Sequence, residues 1–373
     1  MKVIVIGSGI VGASAAYHLA KRNIDVIVID KEHQGNATAA GAGIVCPWAS
    51  SKAEDEKWYE MAKRGAAFYP ELISQLQEDG EQNVGYKKVG ALCVRSNPEE
   101  LDQIEHKIRD KKKKAPEIGD ITRLDSTQSR ERFPLLNERL ESIFISGGAR
   151  VDGKQLRDAI NRAAQKHGAV FVQGEAELLV KKEQLTGASV NGQEFSADSV
   201  LIAAGAWAPS LLKPLGLECK LEPQRGQIAH IKLQDEDTSN WPIILPPTSH
   251  YMLAFDDSRV VAGATRETGS GFDYRLTAGG VSEVVNEALE VAPGLGEGTL
   301  QEVRIGFRPM GVDQSPLLGT VQPFRNMVMA NGLGASGLTM GPYVGCLAAS
   351  LITGENMEID ISPYEPMRAV KIK

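Results

Sequence analysis

Hydrophobic residues fall into short β-branched runs bounded by glycine and into longer stretches at helical spacing. The first run, Lys2-Val3-Ile4-Val5-Ile6, breaks at Gly7-Ser8-Gly9-Ile10-Val11-Gly12, which predicts a buried strand ending in a glycine turn. Residues 13–23 show helical spacing, and a second run, Asp25-Val26-Ile27-Val28-Ile29, ends on Asp30. The series Trp58, Met61, Tyr69, Leu72 and Leu76 predicts a helix over 54–77, with Pro70 marking a break or a new start. Leu101, Ile104 and Ile108 predict another over 98–114, and 126–132 a short one that stops before Pro134. Asp152 is the expected N-cap of a helix with stripe Leu156, Ile160 and Ala163, stopped at Gly168.

Beyond that helix the pattern turns towards strands. Residues 169–172 and 199–205 read as strands, and Asn191-Gly192 is a hairpin signal. From 223 to 263 alternation dominates, and 251–255 and 259–263 flank a turn at Asp256-Asp257. Residues 281–291 read as a helix and 299–307 as a strand ending on Arg308-Pro309. The chain closes with a strand over 327–331, a glycine-rich loop over 332–341 and a helix over 342–353 stopped by Gly354. Mixing βαβ-like and antiparallel pieces predicts an α/β (α+β) chain with two interleaved domains. The expected parallel-sheet domain takes 1–83, 144–221 and 316–373; the antiparallel-sheet domain takes 84–143 and 222–315.

Composition narrows this little. The 373 residues are 42% hydrophobic and 24% charged, ordinary for a globular protein. A net charge of -7 argues against a nucleic-acid partner, and Lys111 to Lys114 read as a solvated helix end. Cys46, Cys93, Cys219 and Cys346 form no C-x-x-C pair and read as reduced thiols of a cytoplasmic protein. No metal-ligand spacing, signal peptide or run of 18 apolar residues is expected to add a metal, a leader or a transmembrane segment. Homo-oligomerisation is left open.

The first thirty residues change the picture most. Strand, G-x-G-x-x-G, helix, strand and terminal acid form the Rossmann-type dinucleotide fingerprint in its full context. Gly7 permits the tight turn, Gly9 lets backbone approach a pyrophosphate, and Gly12 lets helix and strand pack closely. Asp30, about 18 residues past Gly12, is placed to bind a ribose. The small residues that follow, Gln34 to Ile44, let backbone N–H groups and Thr38 approach a flat ligand. The fingerprint alone leaves NAD and FAD both open.

Taken in order, these motifs resemble the D-amino-acid oxidase family of FAD enzymes, which includes glycine oxidase, sarcosine oxidase and bacterial D-amino-acid dehydrogenases. Beside the fingerprint, the resemblance rests on Thr38 to Ile44, Ala203-Ala204-Gly205-Ala206-Trp207 and Pro223-Gln224-Arg225-Gly226-Gln227. Its most specific parts are Gly306-Phe307-Arg308-Pro309 with Asp313 to Gly319, and the loop Gly332 to Gly341. It implies a Rossmann-like FAD-binding domain interleaved with the antiparallel substrate domain. FAD would be non-covalent, because Asp313 to Leu318 lacks the flavin-linking cysteine of sarcosine oxidases. The implied cofactor residues are Gly7, Gly9, Ile10, Val11, Gly12, Asp30, Lys31, Thr38, Ala39, Ala42, Gly43, Ile44, Glu177, Ala204, Gly205, Trp207, Gly334, Ser336, Gly337, Leu338 and Thr339.

The same resemblance implies oxidative deamination of a small amino acid, glycine, sarcosine or a D-amino acid, by hydride transfer from Cα to flavin N5. Arg308 matches the arginine that holds the substrate carboxylate, a role suited to a guanidinium. Tyr251 matches a tyrosine beside the substrate, and Ile44 is expected in the substrate pocket. Arg266 departs from the family: glycine oxidase has a methionine there, and a second cation suits either an acidic or larger substrate or a surface ion pair. Oxygen, giving hydrogen peroxide, and a quinone, as in D-amino-acid dehydrogenases, both remain open as acceptors. A non-catalytic flavoprotein subunit is the further alternative.

Overall fold

The computed structural model describes residues 1–373. The opening run forms the Lys2–Ile6 strand near the middle of a six-stranded sheet. Its order is Leu317–Val321, Phe324–Asn331, Ser199–Ile202, Lys2–Ile6, Asp25–Asp30 and Val170–Gln173. All neighbours run parallel except the first pair. Val3, Ile4 and Val5 are fully buried. Val3 and Val5 lie under helices, and Ile4 shares a cluster with Leu185, Ala188 and Val190 of the strand Gln184–Val190, so both faces are covered, as parallel sheets require.

Helix Ile10–Lys21 is buried from Ile10 to Ala20. It begins three residues earlier than its periodicity predicts, so Gly12 lies in its first turn. A Cβ on Gly12 would collide with the Gly7 carbonyl oxygen, which explains the third glycine of the fingerprint. The helix packs mainly on Gly337–Thr353 and Gly153–Lys166. Asp152 caps the latter, accepting from the Lys154 and Gln155 N–H groups.

Two prolines behave differently from expectation. Helix Glu56–Glu78 runs unbroken through Pro70, which is exposed and flanked by buried Tyr69 and Leu72. The C-terminal helix starts at Gly337, inside the expected loop, and continues through Pro342 to Thr353. Proline at 342 leaves the Leu338 carbonyl, four residues back, without its helical donor. The buried Tyr69 hydroxyl donates to that carbonyl instead, so packing supplies what proline removes. The segment Gly334–Thr353 is long and apolar enough to cross a membrane, but most of it is buried inside the protein.

The second sheet has eight strands, ordered Thr299–Met310, Glu222–Lys232, Arg259–Gly263, Tyr251–Phe255, Ile243–Leu245, Ala91–Arg95, Glu141–Ile145 and Ile121–Leu124. It is antiparallel except where Ile243–Leu245 runs parallel to Ala91–Arg95. Glu141–Ile145 spans the boundary expected at 143–144. The long pairing of Glu222–Lys232 with Thr299–Met310 sets Gln224 opposite Arg308 and Gly226 opposite Gly306. That register brings two sequence motifs side by side.

Candidate active site

A cavity of about 760 Å³ is lined by residues from both sheets, within the usual range for cofactor pockets. Ile6-Gly7, Ile29-Asp30, Ala203 to Gly205 and Ala330-Asn331 line it, all at the C-terminal ends of parallel strands. Open α/β sheets bind ligands at that edge. Two helix N-termini open onto it. At the first, Gly9 and Ile10 face Thr38, whose hydroxyl accepts from the Ile10 N–H at 3.0 Å. The second is Gly337–Thr353, which has no side-chain cap and no acid in its first turn. A Cβ on Gly337 would meet nothing within 4 Å. Its unpaired N–H groups favour negative charge in the cavity.

The sequence-predicted residues converge on this cavity with three exceptions. Gly12 packs against the turn beneath, and Ala39 donates its N–H to the Asn36 side chain at 3.0 Å. The Ser336 hydroxyl accepts from Trp58 Nε1 at 3.1 Å. These three do not face the cavity; they shape the backbone around it. Asp30 accepts from the Ser8 and Glu32 N–H groups, which holds its carboxylate at the rim. Glu177 and Lys31 line the far end, where Lys31 pairs with Glu175 at 2.5 Å. Trp207 stacks on His33 at 4.4 Å and on Phe272 at 5.0 Å. None of the four free cysteines lines the cavity.

At the other end lies the cationic group. Arg308, on Thr299–Met310, donates through Nη1 to the Thr265 carbonyl at 2.9 Å and to Gln224 Oε1 at 3.1 Å. Its guanidinium lies over Gly226, where a Cβ would sit 2.6 to 3.0 Å from three of its atoms. Tyr251 and Arg266 complete this wall, with Ile44 also lining the cavity. Burial raises the Tyr251 pKa while Arg308 and Arg266 oppose the rise. Burial also lowers that of Arg308, with Arg266 adding to the effect and Tyr251 and Glu267 opposing it.

Sequence reasoning missed Lys52. It follows the Ser50 cap, which accepts its N–H at 3.2 Å, and its ammonium lies 6.0 Å from the Trp58 ring centroid. Burial, then Arg266, then Arg308, bring its pKa down to about 8. Nothing in Ser50-Ser51-Lys52 distinguishes it from a surface lysine; only the fold brings it near two arginines. None of Arg308, Arg266 and Lys52 forms a salt bridge with a carboxylate. The nearest polar approach of Arg266 is 3.5 Å, to the Ser249 carbonyl. Arg308 and Arg266 line the cavity without a counter-ion and make a site for an anion, and Lys52 lies near them outside the lining.

The chain matches the family model described as DAO, FAD dependent oxidoreductase, over residues 2–351. It is 46% identical over 368 residues to an uncharacterized oxidoreductase, YurR, of Bacillus subtilis (strain 168), covering 98% of this chain and 99% of that one. The crystal structure of iminodiacetate oxidase (IdaA) from Chelativorans sp. BNC1 superposes with a TM-score of 0.95 at 47% identity, covering 98% of both chains. Glycine oxidase from Geobacillus kaustophilus superposes at 0.84 with 26% identity and the same coverage. With a glycine-cradled cavity, two open helix N-termini and a cationic wall already in place, the match places this chain in the DAO family of FAD-dependent oxidoreductases, as an amino acid oxidase-type flavoenzyme.

Proposed function

We propose that this enzyme oxidises a small secondary amine bearing two carboxylates, of the iminodiacetate class, with oxygen as acceptor. The observation that carries the reading is the uncompensated charge of Arg308 and Arg266 on the cavity wall, with Lys52 near both. One carboxylate satisfies Arg308, with the Tyr251 hydroxyl beside it, and leaves two cations unpaired. A second carboxylate on the other arm of the amine meets Arg266 and Lys52. Buried or crowded charges are unfavourable until paired, so the dianion gains most from this wall. The likeness to iminodiacetate oxidase supports the same substrate class.

The residues act by holding and orienting. Arg308 and Tyr251 fix the carboxylate so that one C–H faces the interior of the cavity, and this alignment supplies much of the rate. FAD, when bound, takes up the hydride and hence two electrons. The substrate loses a C–H hydride and the nitrogen proton, and a C=N bond forms. Water then adds, releasing a 2-oxo acid and the remaining primary amino acid. No histidine lines the reacting end of the cavity, so the amine reacts in its neutral form and releases its proton to solvent. The N-terminus of Gly337–Thr353 would favour negative charge on a cofactor held in the cavity.

An anaerobic flavin-bleaching series tests this. Iminodiacetate should bleach the holoenzyme at lower concentration than sarcosine, glycine or D-alanine, and readmitted air should yield one hydrogen peroxide per substrate. Faster bleaching by a monocarboxylate would overturn the dicarboxylate reading; full turnover with a quinone and no peroxide would overturn the acceptor.

A further inference from the structure

Thr265 and Arg266 stand at the start of a segment, residues 264–277, that contains no helix and only one isolated bridge. Irregular backbone does not by itself hold a binding group still, yet Arg308 depends on the Thr265 carbonyl. What fixes the segment is Arg225, which is only 6% exposed. Its backbone exchanges hydrogen bonds with Glu267 at 3.1 and 2.9 Å. Its Nε and Nη2 donate to Glu267 Oε2 at 3.0 and 2.5 Å. Its Nη1 donates to the Asp273 and Arg275 carbonyls, each at 3.1 Å, and lies 3.0 Å from the Asp273 carboxylate. One planar fork thus ties three points of the segment to the sheet.

The link continues to the substrate wall. Glu267 Oε1 accepts from Thr265 Oγ1 and from Gln227 Nε2, both at 2.7 Å. Thr265 Oγ1 accepts from the Gln227 N–H at 2.9 Å. Burial opposes the Glu267 charge, but bonds from Gln227, Arg225 and Thr265 hold its pKa below the usual value. Further along the segment, Phe272 and Tyr274 pack against Phe307, and Phe272 stacks on Trp207.

We propose that Arg225, clasped to Glu267 and Asp273, is a positioning residue that sets affinity for the substrate's carboxylates by fixing Thr265 and Arg266. It touches neither substrate nor cofactor; it acts through the segment it holds. For the second carboxylate the inference rests on the dicarboxylate reading above.

The test uses FAD-loaded holoenzyme and two amine-free probes: glutarate, which replaces the nitrogen of iminodiacetate by carbon, and acetate, with one carboxylate. Binding is read from the flavin spectrum, beside KM, kcat, flavin content and Tm. In Arg225→Gln, glutarate binding and KM should weaken about 10- to 100-fold, on the order of one lost charge-assisted hydrogen bond. The kcat should stay within about threefold, because ground-state and transition-state contacts are lost together. Arg225→Lys keeps the charge without the fork and should be rescued only in part. Asp273→Asn removes only the outer anchor. If the Arg225 variants do not fold, it carries the test, with a smaller loss of the same kind. Unchanged glutarate and acetate affinity in flavin-loaded variants overturns the clasp, as does a fall in Tm and flavin content without a rise in KM. A wild-type enzyme that binds glutarate no better than acetate overturns the dicarboxylate reading alone; acetate affinity across the variants then still decides the clasp, through Arg308.

Discussion

Replacing Gly226 by alanine isolates the position of the Arg308 guanidinium from its presence. A Cβ at 226 would lie 2.6 Å from Nη2, 2.8 Å from Cζ and 3.0 Å from Nη1. Ordinary carbon contacts begin at about 3.5 Å, so the head group must move by roughly 0.5 to 1 Å. It is held by the Thr265 carbonyl at 2.9 Å and Gln224 at 3.1 Å, and such a shift strains both bonds. Hydrogen bonds from charged donors are worth about 1.5–3 kcal/mol each. A partial loss over two therefore costs about 1–3 kcal/mol, or roughly 5- to 150-fold in kcat/KM at about 1.4 kcal/mol per tenfold. The fingerprint and both helix N-termini are untouched, so flavin content should match wild type. Steady-state kinetics with iminodiacetate and a flavin absorbance ratio decide the matter. Wild-type kcat/KM in fully flavin-loaded Gly226→Ala would show that the position of this guanidinium does not limit turnover.

Other expectations follow from the same wall. Arg308→Ala removes the guanidinium outright and should cost about 2–4 kcal/mol of transition-state stabilisation, seen as a fall in kcat/KM with FAD retained. It should also raise the Lys52 pKa, since Arg308 is one of the charges holding it down. Lys52, with a pKa of about 8, is charged below that pH and neutral above it. The KM for a dicarboxylate should therefore rise as pH passes through 8 to 9, and Lys52→Arg should remove that rise; identical pH profiles would eliminate Lys52. Tyr69→Phe leaves the buried Leu338 carbonyl without its donor and should lower stability by about 1–3 kcal/mol. Thermal melting checks this, and an unchanged Tm would refute the account of Pro342.

The cofactor end of the cavity was legible because its chemistry depends on backbone. A pyrophosphate needs glycine at fixed spacing after a strand, and spacing is what a sequence displays; Gly7 and Gly9 accordingly line the cavity at the strand ends, with Thr38 beside them. Proline was misread twice for the opposite reason. The local cost at Pro342 is offset by Tyr69, far away in the chain, and no local pattern reveals that.

The substrate end was legible only in part, since affinity there comes from charges that meet across the fold. Arg308 stood out within a motif, and Arg266 as a departure from one. Lys52 had no signal at all, although burial beside two arginines brings its pKa down to about 8. Specificity of this kind resides in the sum of charges around one cavity. A substitution that leaves every motif intact can therefore still redirect the enzyme: Lys52→Glu would cancel one cation and pair a second. It should move preference from a dicarboxylate towards a monocarboxylate amine while leaving the flavin-binding residues unchanged.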